Sequence, residues 1–266
     1  MLHGGITRAL LTRFRGWDTP SRVAFALAAV LMIGVVVFGR ELPADQRQNA
    51  LIAIAGLFVM MQVIFLYANR GMVSALTRAQ RQYLAGDLDG ARHTLETALA
   101  RQPRSDYRLQ TLLGNTYRQL GMIEPSHEIL TKAVQAAPQH HFPLYGFGRT
   151  LMTMGRYADA ASAFSAAIAH GAPDVAHLDH AEALYRSGAP AQAIRAALDA
   201  AGTPPEAHRT LWAAYLRWRA AEGSAPQAAD IAAGIAYWQA TAQRFAHTPY
   251  GQDLASDLAV LTKETS

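Results

Sequence analysis

What most limits the fold of this chain is a spacing. From about Met72 onward, glycines recur at Gly86, Gly121, Gly155 and Gly188, separated by 35, 34 and 33 residues. The same interval separates Ala91, Ser126, Ala160 and Ala193, then Leu95, Leu130, Phe164 and Ala197, then Ala98, Ala133, Ala167 and Ala200. Four columns in register predict a supersecondary unit repeated four times over residues 72–205. Glycine permits a tight turn between two antiparallel helices, the small residue five positions later lets them approach, and the large apolar residue fills the space between them. Prolines at Pro103, Pro138, Pro173 and Pro204 end each unit. Helix pairs of this kind cannot bury their own apolar faces, so they are expected to stack into a superhelix with a concave groove.

The first seventy residues obey a different rule. Val23 to Gly39 is a run of seventeen uncharged residues and Ala50 to Ala68 a run of nineteen, with Gln62 the only strongly polar group in either. At 1.5 Å rise per residue each approaches the length of a bilayer core, and neither offers the polar face that a globular helix needs. Residues 21–69 are therefore expected to form two transmembrane helices, about 22–39 and 50–68, turned at Glu41-Leu42-Pro43-Ala44-Asp45. The exit Val37-Phe38-Gly39-Arg40 lacks the small-x-small pattern of a cleaved signal, so the first span is expected to be retained. Residues 1–20, with Ile6, Leu10, Phe14 and Trp17 at helical spacing among Arg8, Arg13 and Arg15, are expected to form an interfacial amphipathic leader, the alternative being a leader without structure.

Charge gives an orientation. The chain carries +4, and all of the excess lies in residues 1–71, which hold seven Arg against Asp18, Glu41 and Asp45; the rest balances at 17 basic and 17 acidic residues. A basic excess flanking apolar spans speaks for anionic headgroups and leaves nucleic acid without support. Arg8, Arg13, Arg15 and Arg22 precede the first span, Arg70, Arg78 and Arg81 follow the second, and the turn has only Arg40 and Arg47. That asymmetry places both termini and the repeats in the cytoplasm, with the protein integral to a bacterial inner membrane.

The repeat columns resemble the tetratricopeptide repeat (TPR) family. The nearest agreement is Leu113-Gly114 with Tyr117, Gly121, Leu130, Ala133 and Pro138, and Gly148 with Gly155-Arg156-Tyr157, Ala160, Phe164 and Ala167. The first unit departs from the pattern with Arg78 and Gln82 where Leu and Tyr are usual, and the fourth has His177 and His180 at first-helix core positions. The fold expected is all-α: a helical hairpin, then a TPR-type solenoid, then residues 206–266 as a degenerate fifth repeat and capping helices that shield the last apolar face.

In that family the first helix of each unit lines the groove. The resemblance assigns to it Arg108, Thr111, Asn115, Arg118 and Gln119 in the second unit, Phe142, Tyr145, Arg149, Met152 and Thr153 in the third, and Val175, Leu178, Glu182, Tyr185 and Arg186 in the fourth. Such a groove would be basic with aromatic sides. Asn115 and Arg118, one turn apart, could hold a peptide backbone and a carboxylate together, because guanidinium offers a planar fork. The expected partner is a protein, through an acidic or C-terminal peptide lying against Phe142, Tyr145 and Tyr185. The same residues also suit ordinary solvated helix positions.

No phosphate loop, nucleophile elbow, HExxH helix or carboxylate-rich metal loop is present, and there are no cysteines. His140-His141 with His177, His180 and Asp179 is the one constellation that could ligate a metal, and packing and turn roles explain it as well. No enzyme activity and no cofactor are expected. The function expected is a membrane-anchored TPR scaffold or adaptor for assembly or recruitment. The alternative is a subunit of a membrane complex, including a haem or cytochrome c biogenesis type of factor, whose spans make the contacts through small residues such as Ala28, Gly34, Ala53 and Gly56.

Overall fold

The computed structural model describes residues 19–39, 43–69, 74–101, 106–220 and 223–263. The leader predicted over residues 1–20 lies almost wholly outside them. Thirteen helices and no strand occur among the described residues, in two units that divide at Ser74.

In the N-terminal unit, α1 (Thr19–Phe38) and α2 (Ala44–Asn69) pack side by side, with Ala28 buried between them. Their apolar side chains otherwise face outward: Leu27, Leu31, Val37, Leu51, Ile52, Val63 and Leu66 are all exposed. Both helices are long and apolar enough to cross a membrane, with mean hydropathy 2.3 and 2.4 over Thr19–Phe38 and Gln46–Tyr67.

The second unit is a stack of helix pairs: α3 (Ala75–Leu84) with α4 (Leu88–Arg101), α5 (Tyr107–Gln119) with α6 (Ile123–Ala136), α7 (His141–Thr153) with α8 (Tyr157–Ala169), and α9 (Val175–Arg186) with α10 (Ala191–Ala201). The glycine column explains the turns. Gly86, Gly121, Gly155 and Gly188 have φ of 80°, 77°, 75° and 74°, a left-handed conformation that L side chains resist. The small and large columns explain the pairing. Ala91, Ser126 and Ala160 are wholly buried, as are Leu95, Leu130 and Phe164. A further column pairs with the large one. Ala79, Gly114, Gly148 and Ala181 are buried on the first helices, and a Cβ on Gly114 would stand 2.4 Å from Leu130 and one on Gly148 2.7 Å from Phe164.

Units join through both helices. Ser126 on α6 donates to the Gly114 carbonyl at 2.8 Å and meets the Thr150 hydroxyl at 2.9 Å, while Tyr117 donates to Glu96 of the first unit at 2.9 Å. A fifth pair, α11 (Ala207–Arg219) and α12 (Ala228–Arg244), extends the array, with Trp212 stacked on Trp238 at 4.5 Å between ring centroids. The last helix, α13 (Pro249–Lys263), pairs with α12 and also reaches back to α7.

Candidate functional site

First helices stack on first helices along the array, α3 on α5, α5 on α7 and α9 on α11, so their remaining faces form one inner surface. That surface is not open along its length. α13 buries Tyr250, Leu254, Leu258 and Leu261, and contacts of the C-terminal helices run from the second unit to the fifth. A Cβ on Gly155, at the α7–α8 turn, would stand 2.8 Å from Pro249. Tyr157 donates to Asp253 at 2.5 Å and Tyr215 to Asp257 at 2.6 Å. Arg186 contacts Asp257 at 3.0 Å and lies over the Tyr250 ring at 5.0 Å. At the end of α12, Arg244 donates to Gln119 at 2.8 Å. The C-terminal helices therefore do more than shield the last apolar face: they cover part of the set of residues assigned to the groove, Arg118, Gln119 and Arg186 among them.

Under that cover lies a charged cluster. Arg149 pairs with Asp179 at 2.8 Å, and Asp179 also accepts from the Tyr145 hydroxyl. Asp179 raises the Arg149 pKa, while burial and then Asp179 raise that of Tyr145. Arg186 bonds Glu182 at 2.9 Å, with both side chains 3% exposed. Burial alone would lower the Arg186 pKa, but Glu182, Tyr250 and Asp257 outweigh it and leave the group firmly cationic. Burial raises the Glu182 pKa, against the pull of Arg186.

Arg118 is different. It is 5% exposed, makes no ion pair within the cluster, and its Nε has no hydrogen-bond partner. Burial first and the Arg149 cation second pull its pKa down to about 10. It borders a cavity of about 10 Å³ with Arg149, Met152, Thr153, Asp179, Glu182, Phe245 and Tyr250, room for roughly one water molecule. The expected basic groove is thus, in this part, a balanced set of pairs with one cation left over.

The other assigned residues spread out from this centre. Arg108 is exposed at the start of α5, where Asp106 caps the helix by accepting from the Arg108 N–H, and its side chain donates to the Tyr107 hydroxyl at 3.3 Å. Thr111 is buried and donates to the Tyr107 carbonyl. Asn115 packs toward Gly146 of the next unit, so it and Arg118 are not presented together to solvent. Phe142 is half-buried, with its N–H donating to His140 Nδ1. Met152, Thr153 and Leu178 are buried and Val175 half-buried. Tyr185 accepts from Arg219 at 3.1 Å. His177 and His180 are half-buried rather than core, since Ala176, Leu178, Asp179 and Ala181 take the interior positions of α9. Among the described residues no three His, Asp or Glu side chains converge closely enough to hold a metal ion. Asp179 and Asp257, which organise the cluster, belong to no repeated column, so periodicity gave no sign of them.

Residues 76–141 and 145–208 match the family described as tetratricopeptide repeat. Those residues carry tetratricopeptide repeats. Solved structures are similar to the chain at low identity. A thermophilic TPR protein of Thermus thermophilus is 18% identical, with TM-score 0.49, over 71% of this chain and 97% of that one. PilF of Pseudomonas aeruginosa is 16% identical, with TM-score 0.48, over 90% and 100%, and MamA of MSR-1 is 20% identical, with TM-score 0.45, over 55% and 82%. No curated protein matches the sequence.

Proposed function

We propose that this TPR protein is a membrane-anchored scaffold that holds a protein partner against the inner face of its repeats, in the cytoplasm. The observation that carries the reading is Arg118, a desolvated guanidinium without a carboxylate. A buried cation left unpaired is costly to a fold, and an acidic group supplied by a partner would remove that cost. Arg149 lies beside it, already paired with Asp179. The partner group suited to this place is an acidic side chain or a C-terminal carboxylate.

The membrane part of the reading rests on surface chemistry. Leucine, valine, isoleucine and phenylalanine side chains stand exposed along both helices of the N-terminal unit, a patch that water does not tolerate and a bilayer core does. Retained spans with the arginine asymmetry described above support a cytoplasmic location for the repeats. Because the chain has no cysteine, single Ser162→Cys and Pro43→Cys variants test this directly: an impermeant maleimide applied to intact cells should label position 43 and spare position 162, and the reverse pattern would invert the orientation.

One observation favours a second use of the spans. Gln62 is exposed on α2, beside a groove lined by Phe25, Phe58, Met61, Phe65 and Leu66, and an amide inside a bilayer seeks a hydrogen bond from another helix. The discriminating experiment is crosslinking in intact membranes, followed by identification of co-purified proteins from the native chain and from Arg118→Ala/Arg149→Ala. Loss of the partner in the variant supports the groove. The same partners from both preparations, lost instead in Gln62→Leu, would transfer the contact to the spans.

A further inference from the structure

α13 enters the inner face by recognition as well as by apolar burial. Its sequence, Tyr250-Gly251-Gln252-Asp253-Leu254-Ala255-Ser256-Asp257-Leu258, puts two carboxylates one helical turn apart beside an apolar stripe. Each carboxylate has a dedicated receiver: Tyr157 for Asp253, and Tyr215 with Arg186 for Asp257. Asp253 and its neighbours Gln252, Ala255 and Ser256 remain exposed on the outer side of the helix.

The fit is incomplete beside Arg118. Where Phe245 and Tyr250 face Arg118, the water-sized cavity remains and the guanidinium Nε has no acceptor. A permanent core would replace such a cation with an apolar side chain of similar volume at no loss of stability. Arg118 is at least 95% buried and aimed at this cavity, and it is the recognition element that α13 leaves unused.

We propose that α13 is a displaceable occupant of the inner groove, standing in for an acidic amphipathic helix of a partner protein, and that the partner evicts it with a carboxylate that reaches Arg118. This rests on the reading of the groove as the partner site and adds to it the helical form of the ligand, the place of its extra acid and a built-in competitor. A partner helix would present acids at the positions of Asp253 and Asp257 and a third acid where Tyr250 lies, the α13 residue that borders the cavity. The resident helix weakens every incoming ligand by the fraction of time it occupies the groove.

The test uses the full-length chain in detergent and a fluorescent synthetic peptide of residues 244–263, with binding followed by anisotropy. In Asp253→Lys/Asp257→Lys the resident helix loses both receivers while the groove keeps its own residues, and the peptide should bind roughly 10-fold or more tightly than to the native chain. Asp253→Asn, which preserves shape and guards against a misfolded double variant, should fall between them. A peptide carrying Tyr250→Glu should bind tighter again, by roughly 10-fold for a charge-assisted bond, and that gain should vanish when Arg118→Met is added to the released chain. Equal binding to native, Asp253→Asn and released chains overturns the displaceable helix; a Glu peptide with no gain, or a gain indifferent to Arg118, overturns the eviction step. Adding Arg186→Ala/Tyr215→Phe to the released chain separates the two levels. Loss of peptide binding there keeps the groove as a site whatever the fate of α13, whereas undiminished binding means that the peptide never entered the groove and removes the underlying reading too.

Discussion

Two kinds of contact hold the repeat unit together, and they differ in what they can tolerate. Within a helix pair, a small residue faces one large apolar side chain, as Gly114 faces Leu130 and Gly148 faces Phe164. Between the inner face and α13, tyrosine hydroxyls and a guanidinium meet carboxylates around a cation that has no partner. The first is close packing, insensitive to pH and salt, and repeated. The second is directional and occurs once. Repetition builds the array; the single contact gives it something to distinguish.

The largest expected effect lies in the first kind. Phe164→Ala should destabilise the array by about 3–5 kcal/mol, through lost burial and the cavity left at a fully enclosed site; a thermal melt followed by circular dichroism reads it, and a small change would mean that the pairs are held by something other than this column. Gly148→Ala approaches the same contact from the other side. Its Cβ would stand 2.7 Å from the Phe164 ring, and overpacking should cost about 1–3 kcal/mol.

The unpaired cation of the groove should respond with the opposite sign. Arg118→Met removes a desolvated, unpaired charge and is expected to stabilise the fold by about 1–2 kcal/mol, a rise in Tm of roughly 2–8 °C for a unit of this size, while abolishing the crosslinked partner. A residue whose removal improves the fold and ends the function is maintained for the function, and a fall in Tm would instead make Arg118 a structural element. Smallest is Tyr157→Phe, which deletes one hydrogen bond to the exposed Asp253. Its cost should be about 1 kcal/mol and local: amide exchange should quicken in α13 and stay unchanged in α5 to α8. Faster exchange throughout would merge the two kinds of contact into one cooperative unit.

The array was readable because each of its constraints recurs. Four glycines at one interval announce four left-handed turns, and Leu95, Leu130 and Phe164 announce the side chains that fill the pairs. The column of Ala79, Gly114, Gly148 and Ala181 obeys the same spacing and was open to the same reasoning. The periodicity fades in the fourth unit, where Ala193 is half-buried and Ala200 exposed. The inner face was readable only in outline. Family spacing marks which positions face inward, but nothing local to Arg118 says that it is sealed from water. That depends on Phe245 and Tyr250, which line the space beside it from far along the chain. The stripe of Tyr250, Leu254, Leu258 and Leu261 declares that α13 must bury a face; which surface receives it is decided by Tyr157, Arg186 and Tyr215, residues far away in sequence.

The joint between α12 and α13 is short and closely built. Thr248 donates to the Phe245 carbonyl at 2.7 Å and accepts from the Gly251 N–H at 3.2 Å, and Gly251 lies so near the Phe245 carbonyl that a Cβ would stand 2.0 Å from it. A helix held on such a joint never diffuses away, so its effective concentration at the groove is on the order of millimolar or above. A rival helix free in solution would rarely reach that level. Under the proposed anchoring, a rival held on the same membrane shares the advantage of tethering, which makes proximity a criterion of selection alongside sequence.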